Sequence, residues 1–208
     1  FAFIIRTVKT PSKATTIKSN TPSHISGIAF DGRVGLNTGN WSFTDCVFRI
    51  RPPLAGNGAI DRSGSFVGLS LTAIQAEFAN CLLVADWPIA GWPTQYYDKV
   101  WPLYITGSSD ITFRDSRLEN GPKQPSYKMS ALTINKGSKT KWQGGSIQGF
   151  RYGIAVFDEN TEFKLVDTII ETKDLPNDRR APRTLSVGSN ANCHLSGTLI
   201  NHGPIANS

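Results

Sequence analysis

The sequence predicts an all-β parallel solenoid, and three observations lead to this fold class. A short motif recurs six times with the same internal spacing: an anchor residue, an apolar residue two positions on, a small or turn-forming residue four on and an apolar residue seven on. The segments between copies alternate apolar and polar residues with the period of two typical of strands. Amphipathic helical stripes are nearly absent. Repeats of this kind are the signature of stacked coils.

The six motif copies give the coils in chain order. They begin at Trp41, Ala76, Ile111, Thr140, Phe163 and Cys193. A second alternating strand precedes each copy, with the apolar pairs Ile28/Phe30, Leu69/Leu71, Leu103/Ile105, Leu132/Ile134, Ile154/Val156 and Leu185/Val187. Successive copies lie 35, 35, 29, 23 and 30 residues apart, and the shortest spacing is close to one coil of a three-sided solenoid. The residues by which the longer spacings exceed the shortest one predict insertions at one corner of the coil. Such insertions stack on one face, which is often used for binding.

The motif residue four positions after the anchor predicts a turn, because Asp, Asn and Gly favour backbone bends. The residues that follow this position are all small, which predicts an inward-facing ladder at a tight corner: Cys46, Cys81, Ser116, Gly145, Thr168 and Thr198. Cys46 and Cys81 would then be neighbours in adjacent coils. We favour two buried free thiols, since Cys packs as a small hydrophobe, although a disulfide is geometrically conceivable.

Composition excludes several classes of protein. The 208 residues carry a net charge of +6 and 39% hydrophobic residues, which argues against global disorder. The chain contains no run of five or more Lys or Arg that would indicate a nucleic-acid partner, and it contains no apolar run long enough for a membrane span. The three Cys do not make a disulfide scaffold, and the three His lack metal-ligand spacing, so we expect no metal and no cofactor. We expect residues 1–23 to form a partial coil or cap, and 24–208 the solenoid domain.

Two phrases carry a resemblance to a known family. HISGIAFDG (His24 to Gly32) and LYITGSSDITFRDSRLEN (Leu103 to Asn120) resemble coils of right-handed parallel β-helices in the pectin-lyase-like superfamily. Within it they look like phage tailspikes and other host-surface polysaccharide-binding proteins. The resemblance covers about residues 24–202 and implies a right-handed parallel β-helix of about six coils, a homotrimer, and a place on the virion tail or outside the cell. The motifs of polygalacturonases are missing, and Arg180-Ala181-Pro182-Arg183 matches only the start of a pectate lyase motif.

The insertions hold the candidate binding residues. These are the aromatic residues and arginines Trp87, Trp92, Tyr96, Tyr97, Trp101, Tyr127, Arg179, Arg180 and Arg183. Aromatic rings pack on the faces of sugar rings with little loss of side-chain entropy, and Arg can hold the carboxylate of an acidic sugar. The positive net charge also leans towards acidic glycans. Two alternatives remain: the aromatic residues form a satellite core against the solenoid, or they form a subunit interface.

Three acids near the insertions are candidate catalytic groups: Asp86, Asp98 and Glu119. A glycoside hydrolase needs two carboxyl groups beside the scissile bond, whereas a lyase needs a base and a cation. Three functions therefore stay open. The first is a tailspike-like receptor-binding domain that recognises bacterial surface polysaccharide, with or without depolymerising it. The others are a secreted polysaccharide lyase or glycoside hydrolase, and a non-catalytic structural shaft of a larger assembly.

Overall fold

The computed structural model describes residues 3–6, 15–17, 21–51, 66–86, 100–121, 130–173, 182–201 and 205–207. Within these ranges the chain forms three parallel sheets and no helix, so no described segment is a helix suited to cross a membrane. Each coil passes through sheet C, then sheet A, then sheet B, and the next coil pairs with it in parallel. The protein is a right-handed parallel β-helix, which confirms the predicted fold class.

Each sheet takes one strand from each coil. Sheet A contains β1 (Phe3–Arg6), β4 (Ile28–Asp31), β7 (Val47–Ile50), β10 (Leu82–Ala85), β13 (Arg117–Asn120), β16 (Ser146–Phe150), β19 (Ile169–Thr172) and β22 (Leu199–Asn201). Sheet B contains β2 (Thr15–Ile17), β5 (Val34–Asn37), β8 (Phe66–Thr72), β11 (Val100–Thr106), β14 (Ser130–Ile134), β17 (Tyr152–Val156), β20 (Arg183–Val187) and β23 (Ile205–Asn207). Sheet C contains β3 (Ser23–Ser26), β6 (Asn40–Thr44), β9 (Gln75–Ala79), β12 (Asp110–Arg114), β15 (Lys139–Gln143), β18 (Glu162–Val166) and β21 (Asn192–Ser196).

The predicted motif corresponds to the passage from sheet C to sheet A, and its anchors lie in one register from Trp41 to Cys193. The second motif position fills the core. Its rings stack from coil to coil, with centroids 4.9 Å apart from Phe43 to Phe78, 4.9 Å from Phe78 to Phe113 and 4.3 Å from Phe113 to Trp142. The parallel ladder therefore places like residues above one another, as the repeat predicts.

The first coil differs from the sequence prediction. Ile28 and Phe30 lie in sheet A, and the sheet B partners of Leu69 and Leu71 are Val34 and Leu36. A further motif copy begins at Ser23, which pairs with Trp41 only 18 residues later. This coil is shorter than the spacings that define the repeat. The sequence analysis therefore grouped Ile28 and Phe30 with the strands of sheet B, although they lie in sheet A.

The corner between sheets C and A is a tight left-handed bend, as predicted. Asp45, Asn80, Asp115 and Asp167 have φ values of 54°, 52°, 48° and 49°. The Asn80 side chain donates a hydrogen bond to Asp45 Oδ1 at 2.6 Å, which links two successive bends.

The two motif thiols that follow this bend are buried and free. Each donates to a backbone carbonyl, Cys46 to Thr44 at 3.3 Å and Cys81 to Ala79 at 3.4 Å. The hydrogen bond with Cys46 and the burial of its own sulfur raise the pKa of the Cys81 thiol. The interpretation of buried free thiols is confirmed.

The predicted insertions all leave from the corner between sheets A and B. They fall between β7 and β8, β10 and β11, β13 and β14, and β19 and β20. The coil of β15 to β17 has no insertion, because a single residue, Arg151, joins β16 to β17. The row of insertions is therefore interrupted at this coil, and this interruption positions the site described next.

Candidate functional site

The outer face of sheet A carries a column of residues that crosses the coils and is polar except for Val84. Strand residues alternate between faces, and the core takes Phe48, Leu83, Leu118, Ile147 and Ile170 from this sheet. The residue after each of these therefore points outward, and the ladder aligns these residues in one column: Arg49, Val84, Glu119, Gln148, Glu171 and, one coil further, Asn201. This column is called the outer ladder below.

A groove with a volume of about 540 Å³ lies over the outer ladder at the coil without an insertion. It is lined by residues of three successive strands: Glu119, Asn120, Gln148, Gly149, Glu171, Thr172 and Lys173. Gln148 lies on the middle strand, β16. The neighbouring strands β13 and β19 are each followed by an insertion, which begins after Gly121 and after Lys173. The volume is in the range of small-ligand sites, and the lining offers carboxylate, amide and ammonium groups.

A β-bulge shapes the floor of this groove. The pairing of β16 with β19 shifts register between Gln148 and Phe150, so Gly149 is the extra residue. Gly149 has a φ of 80°, and its carbonyl accepts a hydrogen bond from Asn120 Nδ2 at 2.9 Å. A Cβ at this position would lie 3.3 Å from Asn120 Cβ. Bulges of this kind recur beside binding sites because they re-aim side chains.

Two carboxylates flank Gln148 on the outer ladder. Glu119 and Glu171 are each one strand away from Gln148, so their Cα atoms are about 9.6 Å apart at the usual strand separation. The Arg117 guanidinium Nη1 lies 3.1 Å from Glu119 Oε1. An ion pair this exposed adds little stability, but it restricts the orientation of the Glu119 carboxylate. The groove thus holds two acids on opposite sides of a neutral amide.

Asp86 lies on the same side of the solenoid but takes part in a different contact. Arg51 joins it to Asp31, with Arg51 Nη2 3.2 Å from Asp86 Oδ2 and Arg51 Nε 3.2 Å from Asp31 Oδ1. Asp86 is one coil before Glu119 and does not line the groove. Of the three candidate acids, the structure places Glu119 in the groove and Asp86 in this ion-pair network.

Two of the candidate binding residues can be located. Trp101 lies in β11, is partly buried, and packs edge-on against Tyr104 with ring centroids 6.0 Å apart. Arg183 begins β20, is exposed, and pairs in register with Tyr152. The other candidates lie outside the described residues: Trp87, Trp92, Tyr96, Tyr97, Asp98, Tyr127, Arg179 and Arg180. Trp101 therefore belongs to a strand of sheet B rather than to an insertion, and the ring it contacts lies on the same strand.

The sequence analysis missed Gln148 and Glu171. Both occupy the position after the last apolar residue of the motif, which is also the position of Glu119. Extending the motif by one residue would have aligned all three. The interrupted row of insertions was also visible, because the spacing from Thr140 to Phe163 is the shortest of those between the six predicted motif copies.

Comparison with known proteins neither adds to this picture nor changes it. The chain matches no protein-family model, no curated protein and no solved structure. Among the residues that the structure describes, no three His, Cys, Asp or Glu side chains converge as a metal site would require. A function for this protein therefore has to be argued from the β-helix and its groove.

Proposed function

We propose that this protein is a tailspike-like receptor-binding domain, which recognises a bacterial surface polysaccharide in the groove over sheet A. The observation that carries the proposal is the groove itself, with a volume of about 540 Å³ and a polar lining. Sugars expose many hydroxyl groups, and these are bound by the mixture of donors and acceptors that this lining offers. A groove of polar groups suits a carbohydrate better than an apolar ligand.

The outer ladder supports a polymer as the ligand. Beyond the groove the ladder continues to Val84 and Arg49 on one side and to Asn201 on the other. The strands of the ladder are about 4.8 Å apart, so this strip is several sugar units long. We expect several consecutive units to contact it, while Gln148 contacts the central one.

The resemblance supplies the remaining parts of the proposal. It implies a homotrimer located on the virion tail or outside the cell, where surface polysaccharides are encountered.

Binding to a panel of capsular and O-antigen polysaccharides tests the proposal. We expect at least one glycan to bind and Gln148→Ala to weaken that binding about tenfold, the loss expected for hydrogen bonds in a partly enclosed site. Gln143→Ala is the matched control, because Gln143 has similar exposure but lies in sheet C. If no glycan in the panel binds, or if both variants bind as the wild type does, the groove is not the receptor site and the structural shaft becomes the better explanation.

A further inference from the structure

We infer that the groove selects an acetylated sugar, whose acetyl group lies beside the outer ladder, over Ser146. The acetyl site rests on the proposed function and deepens it, since it names a substituent of the glycan bound in the same groove. It is formed by Arg117, Ser146 and Ile169, which pair in register on three successive strands of sheet A. These three residues are called the side row below.

The side row runs parallel to the outer ladder and borders the groove. Each of its residues comes two positions before a ladder residue that lines the groove, and residues two apart on a strand point to the same face. The burial pattern agrees, because the residues between the two sets, Leu118, Ile147 and Ile170, are buried in the core. A sugar that contacts Gln148 therefore has the side row about 7 Å away along the strands, within reach of a ring substituent.

Within the side row a short side chain separates two long ones. Ser146 lies on the middle strand and is 6% exposed, whereas Ile169 on one side is 40% exposed and the Arg117 side chain on the other is 56% exposed. The accessible surface of the row therefore belongs to its two ends, a guanidinium group and an aliphatic side chain. A substituent that lies over Ser146 contacts both.

An acetyl group matches these two ends. A guanidinium group has five N–H donors, and in the part of the chain that the structure describes the Arg117 side chain pairs with Glu119 alone. Its remaining N–H groups donate to the acetyl carbonyl oxygen, while the acetyl methyl group packs against Ile169. A sugar hydroxyl makes only the first of these contacts, because it has no apolar part.

The charges around the side row favour this neutral group over a carboxylate. Arg117 Nη1 lies 3.1 Å from Glu119 Oε1, and Glu171 lies on the same strand as Ile169. A carboxylate on the sugar would share Arg117 with Glu119 and would face a like charge there. An amide or ester carbonyl accepts from the same guanidinium group without adding a charge. The sugar unit bound here is therefore acetylated, which differs from the acidic glycan suggested by the net charge of the chain.

Exposed apolar surface is concentrated at the end of the side row. Four large apolar side chains are exposed among the described residues, and two of them, Ile169 and Leu199, pair in register. Single exposed apolar residues are common on protein surfaces and need no explanation, whereas adjoining ones mark sites of contact. Leu199 thus extends the apolar surface that Ile169 offers to the methyl group by one coil.

The test compares a glycan that binds with a form of it in which formyl groups replace the acetyl groups. Formyl keeps the carbonyl and loses the methyl, so calorimetry should give the wild type about fourfold tighter binding of the acetylated form, the effect of burying one methyl. Ile169→Thr keeps a β-branched residue in the strand and should bind both forms equally. Phe157→Thr is the matched control, because Phe157 is 37% exposed and lies outside sheet A, and it should keep the preference.

A second variant approaches the same site from the other direction. Ser146→Val places a larger side chain under the acetyl group and should weaken binding of the acetylated form more than that of the formylated form. Circular dichroism of each variant checks that the β-helix is intact. If Ile169→Thr does not fold, the wild-type preference and Ser146→Val still decide the question.

The outcomes separate the acetyl site from the proposed function. Glycan binding by the wild type with equal affinity for both forms overturns the acetyl site and leaves recognition intact. Binding only of glycans that carry no acetyl group, or a preference that survives in a folded Ile169→Thr, has the same consequence. If no glycan in the panel binds, the proposed function itself fails and the acetyl site fails with it.

Discussion

Replacing Phe78 with alanine should destabilise the β-helix more than most single substitutions do. Phe78 is fully buried in the middle of the ring stack, with centroids 4.9 Å from Phe43, 4.9 Å from Phe113 and 5.7 Å from Phe48. Phe→Ala in a core costs about 3–5 kcal/mol, and each aromatic pair contributes about 0.5–1.5 kcal/mol beyond area burial. The ladder holds the neighbouring rings at fixed heights, so the cavity cannot collapse. We therefore expect a loss of about 4–5 kcal/mol.

Urea unfolding followed by far-ultraviolet circular dichroism measures this loss. Phe157→Ala is the matched control, because Phe157 is 37% exposed and lies outside the stack. We expect the control to lose about 1 kcal/mol or less. If the free energies of unfolding of the two variants agree within about 1 kcal/mol, the ring stack does not stabilise the solenoid and the reasoning from register to energy is wrong.

Three further predictions follow from thiols and from the bulge. Burial raises the pKa of the Cys193 thiol from 9.0 to about 11, so its contribution to stability is complete below pH 9 and lost as pH rises through about 11. Urea titrations should show that the difference in the free energy of unfolding between wild type and Cys193→Ala narrows by about 1–2 kcal/mol over that pH range, after allowance for partial exposure. A difference that does not change with pH would contradict the raised pKa of this thiol. Native protein should be alkylated at Cys193 before Cys46 and Cys81, since those two are 1% and 2% exposed; mass spectrometry that finds all three labelled at once would contradict their burial. Gly149→Ala should cost about 1–3 kcal/mol through strain at positive φ and also weaken glycan binding, whereas unchanged stability would mean that the bulge tolerates a side chain.

The repeat in the sequence was enough to predict the fold. Identical spacing within each motif means that stacked coils place Phe43, Phe78, Phe113 and Trp142 in one column, and the observed register does so. The coil that begins at Ser23 was missed because its length falls outside the range of the other copies. A period can be read from residues alone only where the coils have similar lengths.

The candidate site was harder to predict, because it depends on which residues lie above one another. Asp86 looked available as an acid, yet its partner Arg51 comes 35 residues earlier and is brought beside it by the turn of one coil. Glu171 carries no local signal, since its position matters only through Glu119 two strands away. Motif spacing therefore predicted the scaffold, while the groove followed from the register between coils.

Site-specific photo-crosslinking tests most directly whether the groove over sheet A is the glycan site. A photoreactive residue is placed at position 148, or at position 143 in sheet C as the control, and each protein is irradiated with a polysaccharide that the wild type binds. The account predicts a glycan adduct from position 148 and none from position 143. An adduct from position 143 alone, or equal yields from both positions, would contradict it.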